Sequence, residues 1–313
     1  MKITIIFFVI ITTVTIMGLT PIQTGVYSLD ASWLPDGRIV FTGPKYRGLY
    51  IYSNQSDIDT ISNMWKAGYN FSVSPDGEKI AFSGKKDPDG AGLIQEYNLN
   101  TGEKTTICKS QNPGPPTFGT NGSLYFYDGS QTIIVDKSGN IDRFDYGAYL
   151  TVPAGDGFIW CDREGKANFF DIERNQSAQI EYSGNISNIL FSPIKSPYSN
   201  RVIMEELGGP MILLNLDKME IFILPSGEYP TFTSLPSGIL YLEMADDGME
   251  ITRSLLKFIS LEDDIIGEPR IIFESNLDRI ITRADYSPDY GLLFVTKNGN
   301  VFKAETELKE EIR

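Results

Sequence analysis

The chain has 313 residues, with 27 Lys and Arg against 41 Asp and Glu, two Cys and no His. The missing imidazole excludes Ser-His-Asp and Cys-His nucleophile chemistry, imidazole-ligated zinc and the usual neutral-pH proton shuttle. A net charge of −14 excludes a phosphate-backbone partner, so no nucleic acid is expected.

The first element is apolar. Met1-Lys2 leads into Ile3–Leu19, a run without a charge. One Lys ahead of an apolar stretch is the layout of a secretory signal, but the run also reaches the short limit of a membrane span. No Ala-x-Ala site follows it, and no Cys lies just after it to carry a lipid. Residues 1–24 are therefore read as a signal peptide or an N-terminal membrane anchor, and 25–313 as a single domain outside the cytoplasm. The expected setting is secreted or cell-surface/periplasmic (extracytoplasmic), with membrane contact only through that anchor. In that setting Cys108 and Cys161 either pair or remain two buried free thiols. Five Asn-x-Ser sequons occur, at Asn54, Asn70, Asn121, Asn175 and Asn185.

From about residue 30 one unit repeats. Trp33-Leu34-Pro35-Asp36-Gly37-Arg38-Ile39-Val40-Phe41 is echoed by Val73-Ser74-Pro75-Asp76-Gly77-Glu78-Lys79-Ile80-Ala81-Phe82, and again by Tyr286-Ser287-Pro288-Asp289-Tyr290-Gly291-Leu292-Leu293-Phe294. Four weaker echoes lie between, so that turns fall at Gly37, Gly77, Gly122, Gly157, Asn200, Gly238 and Gly291. Their mean spacing is about 42 residues, the length of one four-stranded propeller blade. In each unit a short strand ends in a tight turn, with Pro presetting φ and Gly permitting φ > 0. An apolar strand follows, then a third such as Leu49–Tyr52, Ile133–Val135 or Met211–Leu214, then a polar fourth such as Thr105–Ile107. Only Asp57–Ala67 reads as a possible helical turn. The fold class is all-β: a β-propeller of seven blades, or six if the unit near Gly155–Trp160 or the last unit is incomplete, each of four antiparallel strands. To close the ring, Gly25-Val26-Tyr27-Ser28 is expected to supply the outer strand of the last blade, with Glu307–Arg313 as the alternative.

At Ser74–Phe82, and nearly as well at Trp33–Phe41 and Tyr286–Phe294, the sequence resembles the TolB-like and WD-repeat-like propellers, whose repeat carries a Ser-Pro-Asp-Gly-x-x-Ile-x-Phe core. The middle repeats match only in outline. The resemblance implies a rigid platform for protein contacts. The α/β domain that precedes the propeller in TolB is expected to be absent, because only about 29 residues precede the first repeat.

No motif supplies catalysis. There is no Gly-x-Ser-x-Gly elbow, no dinucleotide or phosphate loop and no sialidase-type box. Carboxylate pairs are the remaining option, since glycoside cleavage needs no His. The clusters Glu205-Glu206, Asp246-Asp247 and Glu262-Asp263-Asp264 read as turn charges, and neighbours on a strand point to opposite faces. Asp87-Pro88-Asp89-Gly90 and Asp246-Asp247-Gly248 lack the spacing of a calcium loop. Tyr27, Trp65, Tyr198, Tyr229 and Tyr290 are candidates for a sugar- or peptide-binding face. The expectation is a non-catalytic scaffold, not an enzyme, that binds an unidentified protein or extracellular ligand. No catalytic, cofactor-binding or metal residue is assigned and no cofactor is expected. The alternatives are a carbohydrate-active hydrolase with paired carboxylates in the central funnel, and the propeller half of a peptidase system.

Overall fold

The computed structural model describes residues 17–53, 57–182, 187–262, 265–275 and 279–305. Seven antiparallel sheets form a ring, one per repeat. Blade 1 is β2 (Ala31–Trp33), β3 (Ile39–Thr42), β4 (Leu49–Tyr52) and β5 (Ile58–Ser62). Blade 2 is β6 (Ser72–Val73), β7 (Lys79–Lys85), β8 (Gly92–Asn98) and β9 (Lys104–Ser110). Blade 3 runs through β10 (Thr117–Phe118), β11 (Leu124–Tyr127), β12 (Thr132–Val135) and β13 (Ile141–Phe144). Blade 4 holds β14 (Thr151–Ala154), β15 (Gly157–Cys161), β16 (Ala167–Asp171) and β17 (Gln176–Gln179). Blade 5 holds β18 (Leu190–Lys195), β19 (Arg201–Glu206), β20 (Met211–Asn215) and β21 (Glu220–Ile223).

Blade 6 departs from the pattern. Its strands β22 (Glu228–Ser234), β23 (Ser237–Asp246), β24 (Ile251–Glu262) and β26 (Arg270–Glu274) include an over-long β23–β24 hairpin, and β25 (Ile265–Ile266) folds onto the end of β24. The extra length explains why the last interval between turns is the longest. Blade 7 is β27 (Ile281–Ser287), β28 (Gly291–Thr296), β29 (Val301–Glu305) and, from the other end of the chain, β1 (Met17–Ile22).

All seven turn positions read from the sequence fall at the hairpin between the first and second strand of a blade. Gly37 shows why one of them must be Gly: its φ is +83°, and a Cβ there would lie 2.6 Å from the Tyr290 ring. The second strand carries the repeated aromatic. Phe41, Phe82, Phe126, Phe158, Tyr241 and Phe294 are all fully buried, each contributing about 2–3 kcal/mol of burial. One sheet cannot bury both its faces, and the core is accordingly seven clusters, one at each junction of neighbouring blades.

Two expectations need correction. The ring closes through β1, whose ladder to β29 runs from Met17↔Glu305 to Ile22↔Val301, not through residues 25–28. Those residues instead brace the blade 7 loop: Ser28 N–H donates to Gly299 O at 2.9 Å, and the Tyr27 hydroxyl donates to Lys297 O. The alternative strand, Glu307–Arg313, lies outside the described residues. The stretch 57–67 holds strand β5 rather than a helical turn, because Leu49↔Ser62 through Tyr52↔Ile58 pair with β4. A 3-10 turn stands at Pro44–Tyr46.

Candidate functional site

A channel of about 1240 Å³ runs down the ring axis, lined by the first strand of each blade. The repeat geometry gives it two unlike ends. The Pro-Asp-Gly hairpins surround one end, the turn face. The connections between blades surround the other, the connection face.

Arg283 organises the connection face. It lies on β27, two residues from Asp285, so both side chains point the same way, into the channel. Its guanidinium carbon sits 3.4 Å from the centroid of the Tyr229 ring, a close cation–π contact. One nitrogen donates to Tyr46 Oη at 3.2 Å and another to Thr282 O at 2.7 Å. Burial opposes the Arg283 charge, but Asp30, Tyr46 and Tyr229 outweigh it and its pKa is raised. The rings continue sideways: Tyr46 meets Tyr69 edge-on at 5.2 Å, and Tyr69 lies 6.3 Å from Tyr149. Lys66 Nζ stands 5.9 Å from the Tyr149 ring. The series Tyr149, Tyr69, Tyr46, Arg283, Tyr229 thus crosses this mouth from the edge of blade 4 to the start of blade 6. Burial pushes Tyr149 up to about 12.

Tyr46 and Tyr229, the two rings that hold Arg283, both adopt left-handed backbone, with φ of 55° and 54°. Lys66 (φ 62°) and Asn70 (φ 48°) beside them do the same. Such conformations cost roughly 1–3 kcal/mol each for a bulky residue and concentrate where surroundings hold a side chain in a set position.

Carboxyl groups converge on the same region. Burial raises the Asp30 pKa against the opposing pull of Arg283 and the Ala31 N–H. Burial, aided by the charge of Glu228, raises Glu205 to about 7, although the Tyr229 N–H and Arg283 favour its ionised form. Burial raises Asp285 to about 6, in spite of N–H donors from Trp33 and Tyr286, each at 2.8 Å. Glu205 and Glu206 are not turn residues; they end strand β19. As expected for strand neighbours they face opposite ways. Glu206 is 2% exposed and accepts from Ser187 N–H, Asn188 N–H and Tyr182 Oη, whereas Glu205 faces blade 6.

The turn face is different. Trp33 and Tyr290 pack at 5.4 Å, and Trp33 Nε1 donates to Gly291 O at 3.0 Å. Tyr198 stands open at 56% exposure. Lys195 Nζ donates to Ser196 O at 2.6 Å and also to Ser199 O, and burial lowers its pKa to about 8.

Other candidates from the sequence disperse. Of the five aromatics, Tyr198 and Tyr290 sit at the turn face and Tyr229 at the connection face. Trp65 lies between blades 1 and 2 under Arg47, at 4.7 Å, and Tyr27 covers Gly299 of blade 7. Asp246 and Asp247 cap the tip of the β23–β24 hairpin by accepting from Gly248, Met249 and Glu250 N–H groups. Asp87 and Asp89 are exposed turn residues, and Glu262 ends β24. Asp263 and Asp264 lie outside the described residues. Cys108 and Cys161 are free, in blades 2 and 4; Cys161 Sγ lies 4.0 Å from Met204 Sδ. Asn70, Asn121 and Asn175 are exposed, while Asn54 and Asn185 fall outside the described residues. Among the described residues no three Asp, Glu or Cys side chains converge to hold a metal.

Arg283, Asp30, Asp285, Glu228, Tyr46, Tyr69 and Tyr149 were not legible as a site. One signal was available. Arg283 and Asp285 alternate on an innermost strand, which puts two charged groups on one face of it.

No family model matches the chain, and no curated protein matches it. Solved structures do. A streptogramin B lyase superimposes with a TM-score of 0.64 at 14% identity, over 93% of this chain and 98% of that one. TolB from Acinetobacter baumannii gives 0.52 at 19% identity, over 75% of this chain and 66% of that one. The propeller domain of the trilobed protease from Pyrococcus furiosus gives 0.62 at 12%, over 91% and 94%. At these identities the likeness is one of fold. The protein is a seven-bladed β-propeller.

Proposed function

We propose that the protein is an exported, non-catalytic propeller that binds a protein or another extracellular ligand in and around its central channel. The observation that carries this reading is the connection-face layer. Its one guanidinium is engaged by Tyr229, Tyr46 and Thr282, and its rings and strained backbone are built to hold a shape. No His is present, and both thiols lie away from the channel walls, so no imidazole- or thiol-based pair lines it. Among the solved structures, a His-to-Ala virginiamycin B lyase of Staphylococcus aureus is catalytically inactive. A chain without His has no such group to use. The net charge of −14 supports solubility outside the cell and disfavours nucleic acid.

The test is capture from the extracytoplasmic fraction, with the wild-type protein and an Arg283→Met variant side by side. A ligand retained by the first and lost by the second is the expected result. Equal retention by both, or by neither, counts against a channel site.

One observation favours a second reading, a carbohydrate-active hydrolase. Burial, helped by the charge of neighbouring Glu228, holds Glu205 up to about 7. A proton donor beside an ionised carboxylate is what glycoside cleavage requires. Release of reducing ends from an oligosaccharide panel, abolished by Glu228→Gln, would establish it; no release from any member would remove it.

A further inference from the structure

The charge of the channel is out of balance. Among the described residues, seven carboxyl groups line it against two cations, Arg283 and Lys195. Both cations are engaged by the protein itself. Arg283 is held by Tyr229, Tyr46 and Thr282 O, and Lys195 by the carbonyls of Ser196 and Ser199. Two of the carboxyl groups are matched as well: Glu206 accepts from Ser187, Asn188 and Tyr182, and Glu243 pairs with Lys257. Asp30, Glu205 and Glu228 then stand at the connection face with Asp285 on the wall behind them, and Arg283 is the lining cation at that end. Burial raises Glu205 and Asp285, and the charges of Glu228 and Asp30, respectively, push the same way. A further cation placed among them would relieve this repulsion and favour their ionised forms.

The same end offers ring faces to a cation. Tyr69, Phe71, Phe191 and Tyr229 line it, with Phe191 36% and Tyr229 38% exposed. Tyr229 already carries a guanidinium at 3.4 Å, so these walls hold a cation on a ring beside carboxyl groups. Arg283, spent on that contact, sets the shape of the mouth rather than filling it. Size decides between a small amine and a chain. At about 1240 Å³ the channel exceeds the roughly 300–1,000 Å³ of small-molecule pockets. It is lined from Asn70 and Glu205 at the connection face to Pro35 and Tyr198 at the turn face. Its wall strand β27 has seven residues, so an extended segment of similar length, about 23 Å, would run along it. We propose that the channel takes an extended segment of a partner protein whose Lys or Arg side chains enter at the connection face, each set between a carboxyl group and an aromatic ring.

The proposal rests on the channel being the binding site. A net charge of −14 attracts any polycation, so the test must separate the channel from the surface. Dye-labelled hexalysine is titrated into the wild-type protein, into Asp30→Asn with Glu228→Gln, and into Asp87→Asn with Asp89→Asn. The second pair removes the same charge from an exposed turn on the same face. The channel pair is expected to weaken binding by about tenfold or more, and the turn pair by less than about twofold. Equal losses overturn the proposal, as does spermidine or hexaglutamate binding as tightly as hexalysine. A second readout needs no variant. Calorimetry near pH 6.5 in two buffers of unlike ionisation heat counts protons released on binding. The titratable and charged groups around Glu205 and Asp285 are Glu228, Tyr229, Asp30, Tyr46, Tyr198 and Arg283. A cation set among them should expel roughly half a proton or more per peptide, whereas turn carboxylates such as Asp36 and Asp76, with lowered pKa, have none to give. Hexalysine bound without proton release overturns the proposal. An Arg283-dependent captured ligand without a basic segment also overturns it, and leaves the channel reading standing. Equal retention by wild type and Arg283→Met removes that reading, and this proposal with it.

Discussion

The two ends of the channel use the same residue types to opposite ends. At the turn face, Asp36 and Asp76 sit in their own hairpins. The Asp36 carboxylate, partly buried, accepts from the Arg38 backbone N–H and its Nε; Asp76 accepts from Ser74 Oγ and the Glu78 N–H, and the pKa of both is lowered. At the connection face and along the inner wall, burial raises Asp30, Glu205 and Asp285. A carboxylate within a turn is satisfied by backbone a few residues away, and it stabilises the fold as an anion. Asp30, Glu205 and Asp285 are brought together from three separate blades and set down near one guanidinium, that of Arg283. The first kind is architecture. The second resists its own charge, which is what the proposed ligand site would use.

The largest test of this contrast removes the guanidinium. Arg283→Met should cost about 3 kcal/mol, at the low end for removing one partner from among buried charges. Adding Asp30→Asn should recover a good part of it, measured as a double-mutant cycle in urea. Costs that simply add would show that Arg283 and Asp30 are independent and that the connection face is no unit.

Next comes pH. A carboxyl group whose folded pKa is raised makes the folded state bind more protons than the unfolded chain, so stability falls as pH rises between the two values. For Glu205 that window runs from 4.5 to about 7, and for Asp285 from 3.8 to about 6. The melting temperature should therefore climb as pH drops from 8 to 5, with Glu205 accounting for about 2 kcal/mol. It should then fall below about pH 4, as the turn carboxylates, with lowered values, take up protons. Glu205→Gln should flatten the upper limb and leave the acid limb alone. An unchanged upper limb would place the titrating groups elsewhere.

The smallest effect belongs to the turn face. Asp76→Ala removes two local hydrogen bonds and should cost about 1 kcal/mol, without altering the pH profile above 5. A loss as large as that of Arg283→Met would erase the distinction between the two ends.

The same contrast explains what the sequence made legible. Pro-Asp-Gly encodes its turn within four residues, so Gly37, Gly77 and Gly291 could be placed, and with them the blades. The Ile-x-Phe that follows marked Phe41 and Phe82 as core because alternation is local too. The connection face has no such grammar. Tyr46 enters from a loop of blade 1, Tyr149 from the approach to blade 4 and Arg283 from blade 7, and only closure of the ring makes them neighbours. The missed strand β1 has another cause. Its first residues continue an apolar run, and one-dimensional patterning does not reveal that Leu19 serves a sheet when the sixteen residues before it read as a leader.

The ladder of β1 on β29 sets Met17 opposite Glu305, at the end of a third strand and therefore on the turn-face rim of blade 7. Whatever continues from either residue departs from that single point. The disc therefore has one attachment corner. A pull on the chain from outside loads only the two outermost strands of blade 7, which would peel apart bond by bond, while the other six blades carry no force.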